Sequence, residues 1–216
     1  MKDAPVKRVL ITAGPTREKI DPVRFISNYS TGSFGYEIAK AARRSGLKVI
    51  LISGPTTLKA PRGVKFISIE SAREMLSAVL ENVKRCDCVI MASAVCDWRP
   101  ASISANKIKK GRGRIMLELV QNPDILKQLG RRKRAILAGF ALETENLERN
   151  ARKKLHEKNL DIIIANRLKA GRSPFGKGKT DVLIIDRAGG LIKVQNKPKA
   201  ELAKIIVDKV LNCNIY

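Results

Sequence analysis

Short apolar runs alternate with stretches of helical spacing along nearly the whole chain. Residues 9–13 (VLITA), 48–53 (KVILIS), 88–95, 136–142 and 160–165 are apolar without interruption, as strands buried on both faces are. Residues 64–69 read as an edge-like strand. Residues 115–120 alternate, as a half-buried strand would. Between these runs, residues 34–45 place Phe34, Ile38, Ala41 and Ala42 on one helical stripe that Gly46 would close. Residues 71–84 open on Ser71 with Glu74 three positions on, which predicts a capped helix. Asn122-Pro123-Asp124 predicts a short helix with Asn122 as its cap and Pro123 at its first position. Residues 145–158 read as a strongly charged helix, residues 198–211 as an amphipathic one. The runs at 182–186 and 191–194 flank Ala188-Gly189-Gly190, a hairpin signal. Residues 96–106 look irregular, and residues 167–179, with three Gly and one Pro, look like a mobile loop.

Strand–helix alternation of this kind predicts an α/β fold: a Rossmann-like, doubly wound, mostly parallel sheet with an antiparallel hairpin at one edge. A single domain over residues 1–216 is expected, with a subdivision near residue 97. No apolar run is long enough to span a bilayer, and the N-terminus has no signal-peptide core, so a cytoplasmic, membrane-free protein is expected. Four Cys and one His argue against both a zinc site and a disulfide scaffold.

Charge changes the picture more than composition does. The chain of 216 residues carries 43 Lys and Arg against 20 Asp and Glu, a net charge of +23. The excess is concentrated in residues 97–180, which hold 21 basic and 8 acidic residues. A solvated basic surface, a polyanionic ligand such as a nucleoside triphosphate, and nucleic acid would each fit such a charge. Nucleic acid is disfavoured, because Trp98, Phe140 and Phe175 are the only aromatics available there for stacking. A basic nucleic-acid-binding protein on the same fold stays as the rival reading.

In doubly wound sheets ligands bind beyond the carboxyl ends of the strands. Here the first such connection is long, from Gly14 to Gly35, and it holds Thr16, Asn28, Ser30, Thr31, Gly32 and Ser33. Glycines permit close backbone approach, and a helix N-terminus offers N–H groups to an anion. The bland alternative is a loop of turn formers with Ser30 or Thr31 as a plain helix cap. A dinucleotide site fits poorly. The spacing is not G-x-G-x-x-G, and the second strand ends in Ser53-Gly54-Pro55-Thr56 with no acid to hold a ribose. Tyr36 and Lys40 match a Y-x-x-x-K pair, but they lie on the first helix, at the wrong end of the fold.

The stretch ITAGPTREKIDPVRFISNYSTGSFG, residues 11–35, is more specific than a glycine loop. It resembles the signature of the phosphopantothenate–cysteine ligases (phosphopantothenoylcysteine synthetases) of coenzyme A biosynthesis. ASAVCDWR at 92–99, KIKK at 107–110, NPDI at 122–125, GFALET at 139–144 and the Lys-rich pattern over 151–166 continue the resemblance in order.

That resemblance implies a two-step reaction. CTP, or ATP in some members, activates the carboxylate of 4′-phosphopantothenate to an acyl-nucleotide with release of pyrophosphate; cysteine then displaces the nucleoside monophosphate. It implies Mg²⁺ with the nucleotide, a homodimer with residues 115–120 as a candidate contact, and no flavin. The flavin-dependent decarboxylase half of the fused members is not expected in this sequence, which leaves a separate decarboxylase as a candidate partner. By the same resemblance Gly14, Thr16, Ser30, Thr31 and Gly32 would cradle phosphates. Asn28 would hold the acyl-nucleotide, with Arg24 also at the substrate, and Lys107 would be the catalytic cation. Asp97 would take Mg²⁺ or a ribose hydroxyl. Ala92, Ala94, Asn122, Pro123, Asp124, Ile125 and Phe140 would enclose the base, and Lys154 and Lys158, one helical turn apart, would meet the triphosphate. Two departures stand out. Ser33 replaces a lysine common in the family, and Pro15 replaces a glycine and removes an N–H donor. Cys96 has no base partner in sequence and His156 is expected at the surface, so neither receives a role.

Overall fold

The computed structural model describes residues 6–111, 113–133, 135–168 and 178–213. The first half of the chain forms β1 (Arg8–Ala13), β2 (Arg17–Lys19), β3 (Phe25–Ser27), α1 (Ser33–Arg44), β4 (Lys48–Ser53), β5 (Lys65–Ser68), α2 (Ala72–Val83) and β6 (Cys88–Met91). The second half adds β7 (Trp98–Pro100), β8 (Leu119–Gln121), α3 (Ile125–Arg131), β9 (Ile136–Glu143), α4 (Leu147–Glu157) and β10 (Ile162–Arg167). A hairpin of β11 (Lys179–Asp186) and β12 (Leu191–Pro198) leads into α5 (Lys199–Leu211).

Eight strands make one sheet in the order β12-β11-β10-β9-β6-β1-β4-β5. The six from β10 to β5 pair in parallel, and β11 and β12 add an antiparallel edge. The strand order reverses at β1, which lies between β4 and β6; this is the topological switch point of a doubly wound sheet. Alternate residues of β1 explain its unbroken apolar run. Val9, Ile11 and Ala13 face one core with Ile38 of α1 and Leu202 and Ile206 of α5. Leu10 faces the other with Met75 of α2, Leu129 of α3 and Leu155 of α4.

Local sequence sets several ends. Gly46 adopts φ 83° after α1 and donates its N–H to Arg43 O at 3.1 Å. Ser71 Oγ accepts from Glu74 N at 3.2 Å at the start of α2. Asp124, rather than Asn122, caps α3 by accepting from Lys127 N at 3.0 Å. Asn122 instead uses its amide to bond Cys96 O at 2.9 Å, so Pro123 lies before the helix.

Three expectations are revised by long-range hydrogen bonds. Strand β6 stops at Met91, because residues 93–96 are captured by the loop after β1. Ser93 N donates to Thr12 Oγ1 (3.2 Å), Ala94 N to Gly14 O (2.9 Å) and Cys96 N to Thr16 Oγ1 (3.0 Å). Of residues 115–120 only the end pairs: β8 joins β7 in a separate two-stranded ribbon, which leaves Met116 94% exposed. The long first connection also carries the β2–β3 hairpin, where Arg17 packs over the Phe25 ring at 4.5 Å. Most of the loop expected over 167–179 lies outside the described residues.

Candidate active site at the switch point

The carboxyl ends of β1 and β6 diverge at the switch point, and the chain from Ser93 to Asp97 runs between two clefts. The first, about 500 Å³, lies over the N-terminus of α1. It is lined by residues 28–34, by Ala92, Ser93, Ala94, Val95 and Asp97, and by Phe140, Asn166 and Lys199 among others. The second, about 490 Å³, is lined by Ser93, Val95 and Asp97 from the other side, with Asn122, Pro123, Asp124, Ile125, Phe140, Lys154 and Lys158. Asp97 and Phe140 border both. Phe140 packs edge-on against Phe34 with ring centroids 5.0 Å apart, which fixes the wall between β9 and α1.

The floor is built from buried hydroxyls. Thr12 and Thr16 are fully buried. Thr12 Oγ1 lies 2.8 Å from Ser93 Oγ, and Ser27 Oγ donates to Thr16 O at 2.7 Å. Asn28 joins this lacing: its Nδ2 donates to Val95 O at 3.0 Å and reaches Ala94 O at 3.4 Å. The amide is thereby held at the mouth of the first cleft with its oxygen directed elsewhere. Gly32 starts α1 in the left-handed region, φ 73°, and no side chain caps that helix. Its first turn has no acidic residue, so its positive end opens into the cleft without a built-in counter-charge. Gly54 has a different function: a Cβ there would lie 1.8 Å from Pro15 O, so only glycine lets the loops after β1 and β4 pass.

Of the residues singled out in the sequence, Asn28, Ser30, Thr31, Gly32, Ala92, Ala94, Asp97, Asn122, Pro123, Asp124, Ile125, Phe140, Lys154 and Lys158 line one cleft or both. Gly14 and Thr16 line neither and serve the lacing beneath. Lys107 is exposed and outside both clefts. Arg24 is committed elsewhere: its guanidinium grips Asp21 and donates to Ile108 O at 2.8 Å. The buried Asp21 carboxylate also accepts from Val23 N and Arg24 N at 2.8 Å and from Ile108 N at 3.1 Å. Arg24 holds that carboxyl well below the usual carboxylate range. Together these bonds tie the β2–β3 turn to the segment carrying Lys107.

Lys154 and Lys158 do not stand as a bare like-charged pair. Lys154 pairs with Glu143 at 2.6 Å and Lys158 with Asp124 at 3.0 Å, so no anion is required to reconcile them. Burial pushes the Cys96 thiol up from its usual range, away from nucleophilic use. His156 is exposed.

Sequence reasoning missed Ser93, Asn166 and Lys199. Asn166 ends β10, a strand-end position that the general rule for these sheets marks. Ser93 lies inside a recognised motif with no role attached. Lys199 had no local signal: it begins the last helix, more than 160 residues from the loop it faces.

Among the described residues no cluster of three or more His, Cys, Asp or Glu could enclose a metal ion. Asp97 offers a single carboxylate at the border of both clefts, a donor set that suits Mg²⁺ arriving with a nucleotide's phosphates rather than a protein cage. No described helix is long and apolar enough to cross a membrane.

Comparison with known proteins agrees with this geometry. Residues 5–213 match the family described as the DNA/pantothenate metabolism flavoprotein C-terminal domain. The coenzyme A biosynthesis bifunctional protein CoaBC of Bacillus subtilis is 50% identical over 185 residues, 85% of this chain and 46% of its own length. The CoaBC protein of Haemophilus influenzae is 41% identical over 94% of this chain and 51% of its own. The chain thus spans about half the length of these relatives. A crystal structure of a CoaBC C-terminal domain superposes with a TM-score of 0.82 at 42% identity, covering 95% of this chain and 94% of that one. Cab2 in complex with phosphopantothenate-cysteine shares the fold, with a TM-score of 0.76 at 19% identity over 95% of this chain and 85% of that one.

Proposed function

The chain belongs to the DNA/pantothenate metabolism flavoprotein C-terminal domain family, and from that membership we propose that it is a phosphopantothenate–cysteine ligase of coenzyme A biosynthesis. The observation that carries the reading is the meeting of Asn28, the Ser30-Thr31-Gly32 turn and residues 92–97 between two clefts at one switch point. In the first step a carboxylate oxygen of 4′-phosphopantothenate attacks the α-phosphorus of CTP, and the bond to pyrophosphate breaks. In the second the cysteine amine attacks the acyl carbon, loses a proton, and CMP leaves.

Both steps crowd anions together, so fixed donors and cations are what the protein must provide. Ser30, Thr31 and the start of α1 would hold phosphate oxygens. Asn28, kept neutral and oriented by the carbonyls of residues 94 and 95, would donate to the acyl-nucleotide without attacking it. Residues 122–125 and Phe140 would enclose the base. Because the Asn122 amide is spent on Cys96 O, backbone groups would read the base edge. Asp97 would hold Mg²⁺ together with the triphosphate, where the ion neutralises phosphate charge. Lys107 would enter the site when the segment tethered by Asp21 and Arg24 swings toward the first cleft. We further propose a homodimer formed across the ribbon region, where Trp98, Ile103, Ile115, Met116 and Leu117 are exposed together in sequence.

The direct test is pyrophosphate release from CTP that depends on phosphopantothenate, run beside ATP. CTP is expected to support it better. If neither nucleotide does, the ligase reading fails, and binding to nucleic acid becomes the reading to test.

A further inference from the structure

Lysine is rarely more than nine-tenths buried, because its ammonium must be solvated or paired. Lys199 is 9% exposed, and its side chain lines the first cleft. It is the first residue of α5, placed by the β11–β12 hairpin at the opposite end of the chain from the phosphate loop. Its Nζ donates to Ser33 Oγ at 3.0 Å, at the first residue of α1. Ser33 is short, so the ammonium comes in directly over the positive end of that helix. Two like-signed groups, a desolvated cation and a helix N-terminus without an acidic first turn, therefore converge on one open cavity. Burial also pulls the Lys199 pKa down, as expected for an ammonium short of solvent. Like charges brought together at a cavity lower their energy when an anion fills it.

We propose that Lys199 is a substrate-binding residue that grips a phosphate group in the first cleft, from α5, opposite the donors of α1. This deepens the ligase reading, on which the identity of the phosphate rests: the triphosphate of the nucleotide or the 4′-phosphate of phosphopantothenate.

The test is calorimetric titration of the whole chain with inorganic pyrophosphate, then separately with CTP and with phosphopantothenate, in wild type and in Lys199→Met. Loss of one charge-assisted phosphate contact should weaken pyrophosphate binding about tenfold or more. Thermal stability should hold or rise, because the variant removes a buried charge and keeps the volume. A merely structural lysine would give the reverse pattern. Lys199→Gln retains a donor for Ser33 without the charge, and the same loss is expected there, which covers misfolding of the Met variant. Whichever natural ligand loses affinity identifies the phosphate. Pyrophosphate affinity within about twofold of wild type in the folded variants overturns the proposal. Lys199-dependent pyrophosphate binding without turnover of either nucleotide would sink the ligase reading and leave this inference standing.

Discussion

The two regions on either side of residue 97 are built on opposite terms. From Ala92 to Asp97 and from Asn28 to Phe34 the chain is laced by buried hydroxyls and backbone bonds into a fixed floor. From Trp98 to Leu119 the chain forms a narrow ribbon and an extended segment, exposes Met116, Ile103 and Ile115, and is tied to the first half by Asp21, Arg24 and the Ser104–Ile20 bond (3.0 Å). Rigid donors are preorganised where charge will develop. The cation expected to act on that charge is mounted where the chain can move. A site assembled this way admits two anionic substrates before it closes on them.

Substitutions can break or sharpen that contrast. The largest effects are expected on turnover. Lys107→Gln should reduce phosphopantothenate-dependent pyrophosphate release by roughly 10²–10³-fold, the scale of losing one charge-stabilising donor. Its melting temperature should not change, because the side chain is exposed; wild-type turnover would remove Lys107 from the reaction. Asn28→Asp should be similarly inactive, since a carboxylate would face the carbonyls of residues 94 and 95 and repel the acyl-nucleotide. Near-normal rates there would sink the proposed role of the amide. Next comes the exposed ribbon. Met116→Lys combined with Ile115→Lys should convert a dimer to monomers in sedimentation, and an unchanged sedimentation coefficient would move the contact elsewhere.

Smaller effects belong to the lacing. Thr16→Val strands the Cys96 N–H and should cost about 1–3 kcal/mol, which at roughly 2–4 °C per kcal/mol is a measurable fall in melting temperature. A variant as stable as wild type would mean that the floor does not depend on that hydroxyl. Smallest is the pH response of Asp21. Its folded pKa lies below the unfolded value, so its contribution is fully present above the ordinary carboxylate pKa of about 3.9 and fades only as pH falls below it. Asp21→Asn should therefore lower stability at neutral pH and narrow its gap from wild type as acid is added. A gap independent of pH would assign the effect to packing instead.

Much of the fold was legible because apolar runs and caps act locally. An unbroken run such as VLITA has to be covered on both faces, and Gly46 and Ser71 end or begin helices through bonds within their own turn. The phosphate loop was legible for a related reason: glycines and hydroxyls before a helix have few other uses. What sequence misjudged came from partners far along the chain. Asn122 looked like a cap until Cys96 O claimed its amide. Lys154 and Lys158 looked like a charged pair in need of an anion until Glu143 and Asp124 supplied carboxylates. Residues 115–120 alternated as a strand does, yet the sheet they would have joined was already complete.

The sequence by itself determined the alternation of strands and helices, the switch-point loop with Asn28, and the family to which these motifs belong. Each of these depends on residue type at short spacing. Only the tertiary structure decided which of those residues face a cavity and which are spent beneath it. Thr16 and Arg24 are engaged with distant backbone, and Lys199 is carried to the phosphate loop by the last hairpin. Contacts across the sheet depend on strand order, and no spacing along the chain encodes which strand lies beside which.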